Sequence, residues 1–278
     1  MKKALKVSLL AVVWLSAVSL GFGGSIFLTG HDPDFHASLG GNALGAQHIN
    51  QDAITFITDP AFNPFVATAH KFLFVESSIS PPSGHTDGIN GLIASGYVSG
   101  VNFDKVDASG LNNALNHLGT TYDGIVVASD FGGILTQAEL DILNARSNDI
   151  INFLNAGGGL YAMAESDSGA GLTPQHGFFG YLPFIVTSAQ LNQGESGFTV
   201  TPFGIGLGLT AADVNGNASH NIFTATGGMD VVDFDASGHI MSLATRSQIT
   251  NGGVTPEPGT LVLLASGLLG LGLLRRRR

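Results

Sequence analysis

Between Thr121 and Glu165 the chain reads strand, capped helix, strand, with glycines at the junctions, and few folds accept that order. TYDGIVVAS (121–129) is an apolar run of strand length with Gly132-Gly133 just beyond it. Thr136 and Glu139 form a T-x-x-E capping box. After it, Leu140, Leu143, Ile150, Ile151 and Leu154 recur at helical steps, with Ile142 off the stripe. The predicted helix ends at Gly157-Gly158-Gly159, and GLYAMAE (159–165) begins a second buried strand at once. Two apolar strands joined by a helix with one apolar face predict a parallel pair linked by a right-handed crossover, hence an α/β fold.

The preceding residues repeat the alternation. SIFLT (25–29) and KFLFVE (71–76) read as strands, and VNFDKVDA (101–108) as a weaker one. Helical spacing covers 43–56, 88–95 and 111–118. After Ser166 the pattern loosens into Gly, Asn, Ser and Thr, with short strands predicted at 184–187, 198–201, 229–234 and 239–243. These read as an elaboration and closing edge strands of the same domain, which is expected to span 24–250.

Composition narrows the function classes. Charged residues make up 12% of the chain against a usual ~25%, and hydrophobic residues 44%, which speaks against disorder. Between residues 24 and 254 only Lys71, Lys105, Arg146 and Arg246 offset 20 acids, a balance of −16. Such a field repels phosphate backbones, so no nucleic-acid partner is expected. Cysteine is absent, which excludes disulfides, thiolate metal sites and a Cys nucleophile.

Both ends read as addresses. Lys2, Lys3 and Lys6 precede VSLLAVVWLSAVSLG and then small residues, the layout of a signal peptide over 1–23 that implies the Sec translocon as partner. The apolar run is shorter than the ~20 residues a membrane span requires. At the other end, Pro256-Glu257-Pro258 is followed by an apolar segment, 259–274, and by Arg275, Arg276, Arg277 and Arg278. At ~1.5 Å per residue that segment covers about 24 Å of a ~30 Å hydrocarbon layer, with the arginines reaching the cytoplasmic interface. The order of Pro-Glu-Pro, Leu/Gly-rich span and Arg cluster resembles the PEP-CTERM sorting domain, over about the last 24 residues; Thr255 stands where many members have Val. The resemblance implies a sorting signal over 251–278 with a transmembrane helix, and an exosortase that cuts near Pro256, Glu257 and Pro258. It also implies export, membrane anchoring until cleavage, then a cell-surface or extracellular-matrix location linked to exopolysaccharide or biofilm.

Residues 121–166 in turn resemble the class I glutamine amidotransferase-like or ThuA-like fold, which implies a single flavodoxin-like domain with a mostly parallel sheet. The amidotransferase nucleophile is a Cys on the turn after such a strand, and Ala162-Met163-Ala164-Glu165 has none, so that chemistry does not carry over. In such sheets ligands gather at the carboxyl ends of strands. There the sequence places His31, Asp32, Asp34 and His36 after the first strand, Asp130 after TYDGIVVAS, and Glu165 with Asp167 after GLYAMAE. If these loops meet, they form an acidic pocket for a cation or for sugar hydroxyls. The plainer reading, that the aspartates cap the next helix or turn, is the favoured one.

HDPDFH (31–36) offers mixed N/O ligands but no recognised ligand spacing. The run 213–224 departs from a calcium loop, with glycine at the fourth position and Thr224 at the twelfth. Ser166 and Ser168 lack a G-x-S-x-G context. Phe178, Phe179, Tyr181 and Phe184 read as packing residues. Neither metal nor cofactor is expected, and no catalytic residue is assigned. The expected role is non-catalytic, a binding or structural protein with extracellular polysaccharide as a partner. The competing expectation is an exported hydrolase or sugar-modifying enzyme using the acidic strand-end loops.

Overall fold

In the computed structural model, residues 23–131, 134–166, 172, 178–182, 186–191, 193 and 195–250 are described in full, and 253–255 by backbone alone. Five strands lie parallel: β1 (Ser25–Thr29), β2 (Lys71–Val75), β3 (Phe103–Val106), β4 (Tyr122–Val127) and β5 (Gly159–Ala162). Their order across the sheet is β3-β2-β4-β5-β1. The alternation of each strand sends its side chains to two faces, both of which are covered by helices.

On one face, Phe27, Phe74, Val126 and Tyr161 pack against Ile49 and Ala53 of α2 (Ala43–Ile57) and Leu92 of α3 (Gly88–Ala94). A short helix, α1 (Pro33–His36), enters between them. On the other face, Leu28, Leu73, Ile125 and Leu160 meet Leu111 of α4 (Ala108–Ala114), Leu140 and Leu143 of α5 (Gln137–Ala145), and Ile150 and Leu154 of α6 (Ser147–Asn155). The chain travels one way across the sheet through the first set of helices and returns through the second. That order gives all the crossovers the same hand, and such connections are right-handed as a rule.

Thr136 and Glu139 do form the capping box, with Glu139 Oε2 accepting the Thr136 N–H at 3.1 Å. The single helix expected after it is two. At Arg146 the backbone leaves helical values (φ −99°, ψ 16°), and α6 restarts at Ser147-Asn148-Asp149, residue types that favour a helix start over its interior. Arg146 holds the corner by donating to Asp149 Oδ2 at 2.5 Å and to the Asn112 carbonyl at 2.9 Å.

The expectation of a mostly parallel sheet is corrected. Beyond β1, β10 (Ile240–Thr245) pairs antiparallel, and β8 (Asn221–Thr226) and β9 (Asp230–Phe234) both pair antiparallel with β10. The strands β6 (Val186–Gln190) and β7 (Thr199–Val200) add further antiparallel pairs with β8 and β9. The ten-stranded sheet is therefore mixed, and the flavodoxin-like architecture is not what the structure supports. One reason lies in a connection: residues 235–239, between β9 and β10, are too few for a parallel crossover, which takes a dozen residues or more. Two short helices, α7 (Pro202–Leu207) and α8 (Ala211–Val214), were not foreseen. A separate hairpin joins β11 (Gln248–Thr250) to β12 (Gly253–Thr255). Among the described residues no helix is long and apolar enough to cross a membrane; 1–22 and 256–278, where the signal peptide and the span at 259–274 were expected, lie outside them.

Candidate functional site

The carboxyl ends of β1, β2, β4 and β5 carry a layer of buried polar side chains. Asp34, fully buried at the start of α1, accepts both the backbone N–H of Ser129 at 2.9 Å and its Oγ–H at 2.8 Å. That tie joins the loop after β1 to the end of β4. Asn50 of α2 fixes the same loop by donating to the Pro33 carbonyl at 3.1 Å, and Tyr161 of β5 donates to Asn50 Oδ1 at 3.0 Å. Burial, with the charge of Asp32 added, pushes the Asp34 carboxyl up to about 6 against the Ser129 hydrogen bonds.

Asp32 faces two imidazoles. His220 Nε2 lies 3.0 Å from Oδ2, within hydrogen-bond reach. His36 Nε2 lies 3.2 Å from Oδ1. Burial alone would raise this carboxyl, but the hydrogen bonds and charges of His220 and His36 outweigh it and hold it at about 2. His31 points elsewhere: its Nε2 is 2.9 Å from Asp233 Oδ2 of β9, and its ring stands edge-on to Phe198 at 5.0 Å.

Glu165, just past β5, has no exposed surface. It accepts the Phe179 N–H at 2.8 Å and the Tyr181 hydroxyl. Burial drives its carboxyl up to about 8, against those two bonds. Phe179 takes a left-handed backbone (φ +56°), a costly conformation for a bulky side chain, and its ring packs on Phe223 at 5.3 Å. Ser147 Oγ donates to the Tyr181 carbonyl at 2.9 Å, so the 178–182 turn is pinned to α6 as well as to Glu165. Phe179 and Tyr181 are packing residues, as their sequence context indicated.

The structure thus brings Asp32 and Asp34 into one layer but gives each its own partners. Asp130 is buried beside β5, its N–H donating to the Ala164 carbonyl at 2.7 Å. Asp167 and Ser168 lie outside the described residues. Ser166 is buried, and its Oγ has no hydrogen-bond partner among the described residues. The crevice lined by His31, Asp32, His36 and Val214 is too tight to admit a water molecule. Among the described residues no three His, Asp or Glu side chains converge in a way that could hold a metal ion.

Sequence reasoning missed Glu76, Ser129, His220 and Asp233. Glu76 follows β2, is buried, and accepts the N–H groups of Gly88 and, at 3.3 Å, Ile89, so it caps α3 from another element. Its carboxyl is pushed up to about 7 by burial, in spite of Lys105 Nζ at 3.0 Å. Glu76 and Ser129 could have been found by taking the first polar residue after every predicted strand. His220 and Asp233 belong to the antiparallel extension, where the weak pattern hid β8.

Comparison with known families matched residues 254–278 to the PEP-CTERM protein-sorting motif. No curated protein and no solved structure matched the chain, so no match supports the amidotransferase-like or ThuA-like resemblance. The motif contains Pro256, Glu257, Pro258 and the four terminal arginines. It indicates an exported protein, anchored in the membrane by its C-terminal segment until an exosortase processes it.

Proposed function

We propose that the chain enters the Sec translocon through a signal peptide at residues 1–23. On this reading exosortase processing then places the α/β domain at the cell surface or in the extracellular matrix. There the domain serves as a non-catalytic binding or structural protein associated with exopolysaccharide. One observation carries the non-catalytic part: the acids at the strand ends are spent on holding the fold. Asp34 ties β1 to β4, Glu76 caps α3, and Glu165 pins the 178–182 turn. Glycoside hydrolysis needs two carboxyl groups facing one bound bond, one of them free to donate a proton. Such groups would have to abandon bonds that the fold uses. Among the described residues the Ser166 hydroxyl has no hydrogen-bond partner that could polarise it.

Charge supports the partner. An excess of acids of this size disfavours polyanions, which points to a neutral or weakly charged polymer. The test is fractionation of native cells together with incubation of the purified protein on their exopolysaccharide. The protein should co-sediment with the polymer and leave its chain length and reducing-end count unchanged. Depolymerisation, abolished by Asp32→Asn or Glu165→Gln, would establish the hydrolase reading instead.

A further inference from the structure

The buried carboxylates lie at the carboxyl ends of the parallel strands, and both ends of the described domain leave from the opposite side. β10 runs antiparallel to β1, with Thr245 opposite Ile26, and the chain continues through Arg246 into β11. Thr255 of β12 pairs with Gln248 of β11, and the Gln248 backbone abuts Gly23: a Cβ on that glycine would lie 2.7 Å from the Gln248 nitrogen. Residues 23 and 255 are thus neighbours of one and the same residue. Only Pro256, Glu257 and Pro258 separate Thr255 from the apolar segment 259–274. At no more than ~3.6 Å per residue, the four steps from Thr255 to Gly259 reach about 14 Å at most. Strands rise ~3.3 Å per residue, so β1 and β2, five residues each, set the carboxyl-end layer about 17 Å beyond the amino ends.

The side from which the chain leaves differs in chemistry from the far side. Residues 60–69, PAFNPFVATA, carry no charged side chain, and Pro60, Ala61, Pro64 and Ala67 are exposed. Buried Asn63 fixes this loop by donating to the carbonyls of Ile57 at 2.9 Å and Asp123 at 2.7 Å. Arg246 ties it to the exit: its guanidinium lies 3.8 Å from the Phe62 ring centroid and 2.9 Å from Asp59 Oδ2. Lys71 and Arg146 also stand on this side, paired with Asp104 and Asp149, and Arg146 reaches Asn116 at 2.8 Å beside the 118–120 turn that leads into β4. Three of the four cations between residues 24 and 254 are therefore here. The fourth, Lys105, is held by Glu76 towards the other end, where Asp87 and Asp107, at the starts of α3 and α4, have no ion pair among the described residues.

We propose that this amino-end face, centred on residues 60–69, is the surface that the anchored domain lays on the lipid headgroups. The tether brings the face to the membrane, and at a reach this short a weak contact suffices, because effective concentrations are of order mM. Charge selects the face: against anionic headgroups the far end is repelled, whereas here each cation offsets a carboxylate and the central loop has nothing to desolvate but small apolar and aromatic groups.

The assignment rests on the anchoring that the sorting motif indicates, not on any role in the matrix. The chain has no cysteine, so Ala61→Cys, Thr120→Cys and Ser83→Cys, all at exposed positions, each give a unique site for a fluorophore. The labelled full-length protein is reconstituted in phosphatidylcholine–phosphatidylglycerol vesicles containing a headgroup nitroxide lipid. Labels at 61 and 120 should be quenched at least about threefold more than the label at 83, in the loop after β2. With a flexible Gly-Ser linker of about twenty residues inserted after Thr255, the difference should shrink but keep its sign. Equal quenching at the two ends, or stronger quenching at 83, overturns the proposal, and so does a linker variant whose labels become equal, since the tether alone would then account for the proximity. Energy transfer between labels at 61 on different chains, in place of quenching by lipid, would give the face to a second copy and overturn it too. A chain that fails to float with the vesicles strikes the anchoring and the proposal together, whereas one that floats without face selectivity strikes the proposal alone.

Discussion

Glu165→Gln separates a charge from the hydrogen bonds around it. Gln has the same shape, accepts the Phe179 N–H through its oxygen and donates to the Tyr181 oxygen through its nitrogen, so both ties of the wild-type side chain are kept. Only ionisation is removed. In the folded protein Glu165 holds its proton up to about 8, against an ordinary 4.5. The folded state therefore binds more protons than the unfolded one between those values. Its contribution to stability is complete below 4.5 and drains away as pH rises towards about 8. At about 1.4 kcal/mol per pH unit, the gap amounts to about 5 kcal/mol, an upper bound because the site can relax around the charge. The same slope over pH 5–8 gives about 4 kcal/mol of difference between wild type and variant. With a urea m-value of about 2–3 kcal/mol/M, the two unfolding midpoints should move apart by about 1.5–2 M over that interval, the variant becoming the more stable at high pH. Asp34 and Glu76 also titrate in this range but are common to both proteins, so they cancel in the difference. Midpoints that run parallel from pH 5 to 9 would refute the reasoning.

Three further outcomes follow from packing and charge. Asp32→Ala leaves His36 and His220 facing a hole in the polar layer and should cost about 3–5 kcal/mol in urea unfolding at pH 7. In the wild type, the stability that Asp32 supplies is present above 3.8 and lost as pH falls through about 2, so Asp32→Asn should show a shallower acid transition by circular dichroism. Gly91→Ala puts a Cβ 1.8 Å from the Asp34 carbonyl oxygen, a backbone atom that cannot step aside. A loss of about 1–3 kcal/mol or more is expected in thermal melts, whereas Gly206→Ala, with nothing within 4 Å, should gain about 0.5–1 kcal/mol from helix propensity.

The parallel half of the sheet was readable because β1, β2, β4 and β5 are buried on both faces and the connections carry helices. A continuous apolar run such as FLFV (72–75) or GIVV (124–127), bounded by polar residues, needs no tertiary information to be seen. The second half was harder. In β8, Asn221, Phe223 and Ala225 alternate with Ile222, Thr224 and Thr226, a mixture in which neither face is plainly apolar, and the strand went unseen. With it went His220 and therefore the partner of Asp32. The break at Arg146 was hidden for another reason: Leu143 and Ile150 both pack on the same face of the sheet, so the apolar stripe continues across two helices as if they were one. Among the site residues, position at a strand end was legible, while the choice of partner was set by loops whose approach no local pattern encodes. That is why Asp32 and Asp34, two residues apart, end with opposite protonation behaviour.

The sorting account meets its most direct test in the intact mass of the protein isolated from the envelope and medium of native cells. The account predicts a polypeptide lacking both the leader and the apolar segment with Arg275–Arg278, and a longer, membrane-retained form when Pro256, Glu257 and Pro258 are all replaced by alanine. An untrimmed chain ending at Arg278, recovered from the cytosol and indifferent to that replacement, would contradict it.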